Sequence, residues 1–480
     1  MVQDELDIKH SKIGMVSYGF NSFSREFLRI AFTTFAFFFY ESELGLNVWL
    51  IFFSFFLFAV YNMFNDPIVG YLTNKPFKFT KKWGRRFPWI LVGGLPWGFT
   101  YMLIFTPPTY DAIGGQWILF AWLLFTTCLF DTFHSIFFVN FQSLFVDKYR
   151  SVQERRTASG IYIMIGVIGV ALGSILPPLL FKYSTETKTY FPTFALQGLV
   201  VAIITFIGFV LAIPGSREDQ VTIDLYLASQ EQEREHDSFF KSLWTALKQT
   251  PFIAFMIFYL LYQSLVEIMQ GSVQYTVKYS LKMPPSASTL IFAAFLVGVL
   301  VSTPIWMLIS KRVKDNKKVM LISGLLLAAF TIPITFYNTY TIPASVNLIY
   351  LLIVIEMFLW GLAMGGFWIM IFPVSADVID NAIVVTKKRE EGVYTGFQQF
   401  FGRVGIILQA LTFAVVHELT GFDEALGLAQ PESAIWGIHL HQALIPAIFV
   451  IIGALVFWKW YKLTPDRVRE NQEKIKEMGI

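Results

Sequence analysis

Asn62-Met63-Phe64-Asn65-Asp66-Pro67-Ile68-Val69-Gly70 interrupts an otherwise apolar segment that runs from Val48 to Leu72. A carboxylate inside a bilayer-length helix costs about 2.5–3.5 kcal/mol on insertion scales, and an ion, a proton or a polar solute is the usual reason to keep one. Lys75, Lys78, Lys81, Lys82, Arg85 and Arg86 follow at once, with no acidic residue among them. Such a basic run fixes the side of the membrane on which a helix ends.

Composition agrees with a membrane setting. The 480-residue chain is 55% hydrophobic and 18% aromatic but only 15% charged, where soluble domains carry about 25% charged residues. Cys128 is the single cysteine and lies in an apolar span, which excludes a disulfide framework and a cysteine-based metal site. The first 13 residues are polar, and the apolar run after them is too long for a signal-peptide core. It reads as the first membrane helix. Apolar stretches of about 20 residues or more fall near 14–40, 46–72, 88–107, 117–145, 158–182, 191–213, 252–279, 286–310, 319–337, 347–373, 394–417 and 441–461. The expected fold is an all-α membrane protein with twelve transmembrane helices in two pseudo-symmetric six-helix bundles.

Lysine and arginine set the expected topology. One set of loops holds six basic residues (75–86), four (Lys148, Arg150, Arg155, Arg156) and five (Lys311, Arg312, Lys314, Lys317, Lys318). The alternate loops at 41–45, 108–116, 338–346 and 418–440 hold none. The positive-inside rule then places both termini and the central loop in the cytoplasm, in a multi-pass protein of the cell membrane. A polar stretch after Pro214 separates the two sets of six spans and contains an expected surface helix at Phe239–Leu247. The domain reading is a first bundle over 1–213, a linker over 214–250, a second bundle over 251–462 and a cytoplasmic tail over 463–480. The halves resemble one another: Asp66-Pro67-Ile68 corresponds to Thr303-Pro304-Ile305 at an offset of 237 residues, and Asp147 to Asp377 at 230. Weak repeats of this kind are a transporter feature, with the solute site between the halves.

Polar residues within the spans are the candidate sites. Arg25, Glu26 and Arg29 lie in the first span, where Glu26 and Arg29 are one turn apart and either neutralise each other or meet a solute. Asn62 and Asp66 share one helix face, which suits a cation site of amide and carboxylate oxygens; Asp66 before Pro67 also suits a helix-end brace against the basic loop. Asp131, with His134 and Cys128 nearby, is far from either end of its span and needs a facing partner. Arg403, flanked by Gly402 and Gly405, is one candidate. Glu267, Gln270 and Gln274 make a polar stripe, and Glu356 shares a face with Trp360, which suits either stacking on a sugar ring or ordinary packing. No HExxH, GxSxG or GxxxxGK[ST] motif points to an enzyme, and no ATPase module is attached, so gradients are the expected driving force.

Ser17-Tyr18-Gly19-Phe20 with Arg25-Glu26-Phe27, Asn65 to Gly70 with Trp83-Gly84-Arg85-Arg86-Phe87-Pro88-Trp89-Ile90, and Ala376-Asp377 to Asp380 with Arg389-Glu390-Glu391-Gly392 and Phe397-Gln398 to Gly405 occur in this order. Together they resemble the glycoside–pentoside–hexuronide:cation symporters, the melibiose-carrier group within the major facilitator fold. The resemblance implies symport of a polar solute with Na⁺, Li⁺ or H⁺ by alternating access. It places Glu26 at an acidic sugar-binding position, Asp131 at the helix-four acid, and Asn65 and Asp66 at cation positions. Arg85, Arg86, Asp377 and Asp380 fall in the loop motifs, where gating is expected.

Four positions depart from the family pattern. Asn62 stands in place of an aspartate, Cys128 of a threonine, Tyr162 of an arginine and Arg403 of a lysine. With Asp66 as the one carboxylate retained in helix two, H⁺ is favoured over a transported Na⁺ at Asp66. The expected partners are a sugar or glycoside, a monovalent cation and the lipid bilayer. No nucleic acid and no resident cofactor is expected, and the chain is expected to act as a monomer. A lysophospholipid or other amphiphile symporter is the second reading, and a non-transporting membrane receptor or scaffold the third.

Overall fold

The computed structural model describes residues 10–75, 77–109, 112–149, 151–183, 191–221, 223, 248–342, 345–387 and 391–478. The surface helix expected at 239–247, and Arg389 and Glu390 of the loop motif, lie outside the described residues. The described residues form helices and turns without a strand, and the chain divides into two compact units, Met1–Arg234 and Glu235–Ile480.

The first unit contains α1 (Lys12–Phe38), α2 (Val48–Asn74), α3 (Phe87–Ile104), α4 (Ala112–Lys148), α5 (Val152–Ile175) and α6 (Phe191–Ser216). Local chemistry starts several of them: Ser11, Asn47 and Ser151 each accept a hydrogen bond from a backbone N–H in the first turn. The second unit contains α7 (Thr250–Tyr275), α8 (Ala287–Val313), α9 (Asn316–Thr331), α10 (Val346–Thr386), α11 (Glu391–Thr420) and α12 (Glu432–Trp460). The segment expected as a tail carries a further helix, α13 (Pro465–Met478), packed on α10, with Asn471 donating to Asn381 at 3.4 Å. Eleven helices are long and apolar enough to cross a membrane among the described residues. The remaining long helix, α1, has 27 residues and carries Arg25, Glu26 and Arg29 along its length.

Both units pack in the same order. In the first, α1 lies on α5 and α6, α3 on α4 and α6, and α2 on α4; in the second, α7 lies on α11 and α12, α9 on α10 and α12, and α8 on α10. Every pair recurs six helices later, as a parallel repeat requires. The backbone repeats as well. The first helix of each unit ends in a π-helical turn, Phe39–Glu43 and Thr276–Ser280, at the same 237-residue offset as the proline motifs. An acid in the later part of the fourth helix is tied to the start of the third helix or the loop before it in both units: Arg85 bonds Asp147 at 3.3 Å, and Asn316 donates to Asp377 at 2.9 Å.

One local expectation is corrected. α2 runs on to Asn74, so Asp66 lies well inside its helix and does not brace a helix end.

Candidate functional site

The face that α2 turns to α4 carries Asn62 and Asn65, one turn apart, and α4 answers with Asp131 and Ser135 at the same kind of spacing. Both asparagine amides donate to the same oxygen, Asp131 Oδ2, the Asn65 bond measuring 3.1 Å. Asn65 Nδ2 also donates to Ser135 Oγ at 3.0 Å, and the Ser135 hydroxyl donates to Asp66 Oδ1. The result is one continuous chain in which the Asn65 amide and the Ser135 hydroxyl together connect Asp131 to Asp66. Asn62, Asn65 and Asp131 are 7%, 6% and 5% exposed while Asp66 is half-buried, so Asp66 is the member nearest to solvent.

Two carboxylates this close repel unless a proton or cation sits with them. The same side chains present amide and hydroxyl oxygens, the donor set of a hard cation. Among the described residues no group of three or more His, Cys, Asp or Glu is arranged to hold a metal ion, so any cation here depends on these neutral oxygens too. Around the cluster, Tyr61 Oη lies 2.6 Å from Thr132 Oγ1, whose own hydrogen goes to the Cys128 carbonyl. The Cys128 thiol makes no hydrogen bond among the described residues, and oxygen donors come from Ser135 and Thr132 instead. Ser135 escaped the sequence reading because a serine in a span carries no signal of its own. The available signal was its position one turn after Asp131.

Glu26 is held by two arginines. Arg25 bonds Oε1, and Arg29 Nε donates to Oε2 at 3.1 Å, while the Arg25 guanidinium lies 4.2 Å above the Phe138 ring. The sequence had suggested only Arg29 as its neutralising partner. Tyr162 stacks on Phe141 with ring centroids 5.7 Å apart. His134 lies between this group and the α2–α4 cluster: its Nδ1 is 3.7 Å from Asp131 Oδ1, and its ring stacks at 5.2 Å on Phe138, the ring beneath the Arg25 guanidinium.

Other candidates lie elsewhere. Asp131 receives hydrogen bonds from Asn62 and Asn65. Arg403 belongs to the second unit, where neighbouring Gly405 lets α11 pack against the α7 backbone at Gln263 and Ser264. Trp360 is fully buried with its ring 5.1 Å from Phe295, a packing contact within the second unit. Glu356 accepts from Tyr337 at 3.2 Å. In the polar stripe of α7, Gln274 donates to Ser288 at 2.9 Å and Gln409 donates to the Glu267 carbonyl at 2.8 Å. Of the residues expected in loops, Arg86 donates to Asn140 at 3.3 Å, whereas Asp377 and Asp380 lie within α10, Asp380 half-buried one turn after Asp377. Glu218, which drew no attention in the sequence, accepts from the backbone N–H groups of Arg86 and Phe87 and so caps α3. Gly84 just before them has φ +85°, and a Cβ there would run into Glu218.

Paired six-helix repeats with ionisable side chains held inside one of them define a secondary transporter of the major facilitator type. The match to known families is specific. The chain belongs to the MFS/sugar transport protein family, which it matches over residues 17–465. It is 21% identical to the sodium-dependent lysophosphatidylcholine symporter 1-A of Danio rerio over 446 residues, covering 85% of this chain and 78% of that protein. It is 22% identical to the uncharacterized symporter YnaJ of Bacillus subtilis over 489 residues, covering 97% and 96%. Its fold is similar to that of a bacterial homologue of the human lysosomal transporter Spinster, with a TM-score of 0.63 at 12% identity over 96% of this chain and 99% of that one.

Proposed function

We propose that the protein is a cation-coupled symporter of a polar solute, with Asn62, Asn65, Asp66, Asp131 and Ser135 as its cation site. The carrying observation is the Asp131–Asn65–Ser135–Asp66 connection. The sequence weighed Asp66 as the lone carboxylate of helix two and so favoured H⁺; Asp131 contributes a second carboxylate to the same cluster, which moves the preference to Na⁺. Two acids and three neutral oxygen-bearing side chains meet the needs of a hard monovalent cation better than those of a lone proton. The sodium dependence in the names of the lysophosphatidylcholine symporters agrees with this reading. Both termini face the cytoplasm in this proposal, on the strength of the basic loops.

The solute contacts assigned to this reading are Glu26, Arg25, Arg29 and Tyr162, beside His134. A carboxylate and guanidinium groups together donate to and accept from the hydroxyls of a sugar or glycoside. The second reading is an amphiphile with an anionic or zwitterionic head. It is favoured by the surplus positive charge of Arg25 and Arg29 over Glu26 and by the lysophosphatidylcholine symporters among the relatives.

Uptake into vesicles holding the purified protein separates these readings. An imposed Na⁺ gradient is expected to drive accumulation of one member of a panel of glycosides and lysophosphatidylcholine, and Asp66→Asn to abolish the Na⁺ response. Uptake that follows a pH gradient and ignores Na⁺ would restore proton coupling. Uptake indifferent to both would remove coupling altogether.

A further inference from the structure

The basic loop between α2 and α3 carries charge that the fold of the first unit does not use. Arg85 is paired with Asp147, whereas Lys75, Lys78, Lys81 and Lys82 meet no carboxylate among the described residues, and all four are exposed. The corresponding loop of the second unit differs. There Lys317 gives its ammonium to the Trp458 and Tyr461 carbonyls, Lys318 lies 3.5 Å from Asp315, and no aromatic residue occurs between Lys311 and Lys318. A rule that counts only charge treats the two loops alike.

Aromatic side chains give the first loop a second property. Phe77 and Phe79 stack with centroids 5.2 Å apart, and Trp89 meets them edge-on at 5.4 and 6.0 Å. Thr80 is buried, and its hydroxyl accepts from the Phe77 N–H at 3.0 Å. The loop is thus a fixed platform, and it still leaves the Phe77 and Trp83 rings exposed among the four lysines. Rings interleaved with ammonium groups suit the headgroup level of a membrane, where both find partners.

α2 leads straight into this platform. Its α4 side holds Asn62, Asn65, Val69 and Thr73, all buried, and its other side exposes Leu57, Phe64, Ile68 and Tyr71 at helical spacing. Lys75 continues the exposed stripe and sets its ammonium 4.3 Å over the Tyr71 ring. We propose that α2 and the α2–α3 loop form a binding site for an anionic phospholipid. Its acyl chains lie along the apolar stripe, and its phosphate sits among the four lysines. The leaflet that supplies it is the cytoplasmic one in the orientation proposed above, where anionic lipids attract basic segments next to a membrane helix. The lipid is a bound partner and not the transported solute, whose assigned contacts lie on α1 and α5.

The test uses the full-length protein in detergent micelles, titrated with phosphatidylglycerol or with phosphatidylcholine of the same acyl chains. Native mass spectrometry counts the lipid retained, and phosphatidylglycerol is expected to be retained in preference. Each lysine near an anionic headgroup is worth about fivefold, the equivalent of about 1 kcal/mol, so Lys81→Gln/Lys82→Gln is expected to lose about 25-fold in phosphatidylglycerol affinity with phosphatidylcholine unchanged. Lys311→Gln/Lys314→Gln removes the same charge from the other loop and is expected to leave retention nearly unchanged. All four of these side chains are exposed, so both variants are expected to fold. Equal retention of the two lipids, or equal losses in the two double variants, overturns the proposal. Displacement of phosphatidylglycerol by inorganic phosphate would make the site one for a free anion and overturn it too. Retention lost in Glu26→Gln would place the lipid among the solute contacts, with the same consequence.

Discussion

The α2–α4 interface of the first unit and the α8–α10 interface of the second are the same place in the repeat, used for opposite purposes. At the two offsets, Asn62, Asn65 and Asp66 correspond to Val299, Ser302 and Thr303, and Asp131 and Ser135 to Gly361 and Gly365. In the second unit, Gly298 and Gly361 bring the backbones together so closely that a Cβ on either would overlap a carbonyl of the facing helix, Phe358 or Phe295. Ser302 and Thr303 there turn their hydroxyls to the Val299 carbonyl of their own helix. Where glycine admits close approach the interface is filled by backbone; where Asn, Asp and Ser stand, the same crossing holds a polar cluster. One fold position thus serves as a rigid seam in one half and as a candidate cation site in the other.

The comparison breaks most sharply at Asp131. Asp131→Asn removes one of two carboxylates and leaves three amides in contact, so Na⁺-driven uptake is expected to fall by two orders of magnitude or more, consistent with the ~3–5 kcal/mol at stake when one charge of a buried pair is removed. Sodium dependence of initial uptake rates is the measurement, and a normal rate in the variant would move the cation away from α2–α4. On the other side, Gly361→Val forces a branched side chain into the α8–α10 seam. Overpacking costs about 1–3 kcal/mol, and the shift is expected as a lower melting temperature in detergent with the apparent Na⁺ affinity of the surviving fraction unchanged.

Ser135→Ala is a finer cut. It removes the hydroxyl between the two carboxylates and nothing else, and the loss expected is about 10–100-fold in cation affinity, the range seen for supporting ligands. Folding is expected to persist because Asp131 keeps its two amide donors. Asn62→Asp should act in the other direction, raising Na⁺ stimulation at low Na⁺; no gain there would mean that Asn62 serves Asp131 as a donor and not the cation as a ligand.

What could be read from the sequence divides along physical lines. Twelve spans, the basic loops and the costly Asp66 were legible because charge and apolar length survive in composition. The half-to-half repeat was visible through two proline motifs and two acids, and the five main helix pairings of each unit agree with it. Asp131 joining Asp66 was not legible, because it depends on how α2 and α4 rotate to face each other, which no pattern within either helix encodes. The arginine clamp on Glu26 was half-legible: Arg29 sits one turn away, whereas Arg25 is the adjacent residue and folds back onto it. The π turns at Phe39–Glu43 and Thr276–Ser280 left no trace either, since a shifted backbone hydrogen bond needs no particular residue. They carry Glu41 in one unit and Lys278 in the other, both buried.

The two units also finish their last helices in related ways, and here the smallest effect is expected. Lys148 donates to the Gly215 and Arg217 carbonyls after α6, and Lys317 to the Trp458 and Tyr461 carbonyls at the end of α12, each a cation at a helix C-terminus. The first unit adds a titratable strap. His10, just before α1, meets Asp219 at 2.8 Å and Glu154 at 2.9 Å, with the Tyr149 ring edge-on at 5.3 Å. The hydrogen bond to Asp219 raises the His10 pKa above its ordinary value and Glu154 adds to it, against opposing effects of burial and Lys148. A raised folded-state pKa means that the strap contributes its full stability below the ordinary histidine value of ~6.5 and loses it as the pH rises through the folded value. His10→Gln is therefore expected to lower the melting temperature in mildly acidic buffer and to leave it nearly unchanged in alkaline buffer. Among the described residues of the second unit, no histidine joins the Lys317 contact. A change there that removes the ammonium group, such as Lys317→Met, should lower stability by a similar amount at both pH values, and a matching pH response in the two variants would show that the strap's titration contributes nothing.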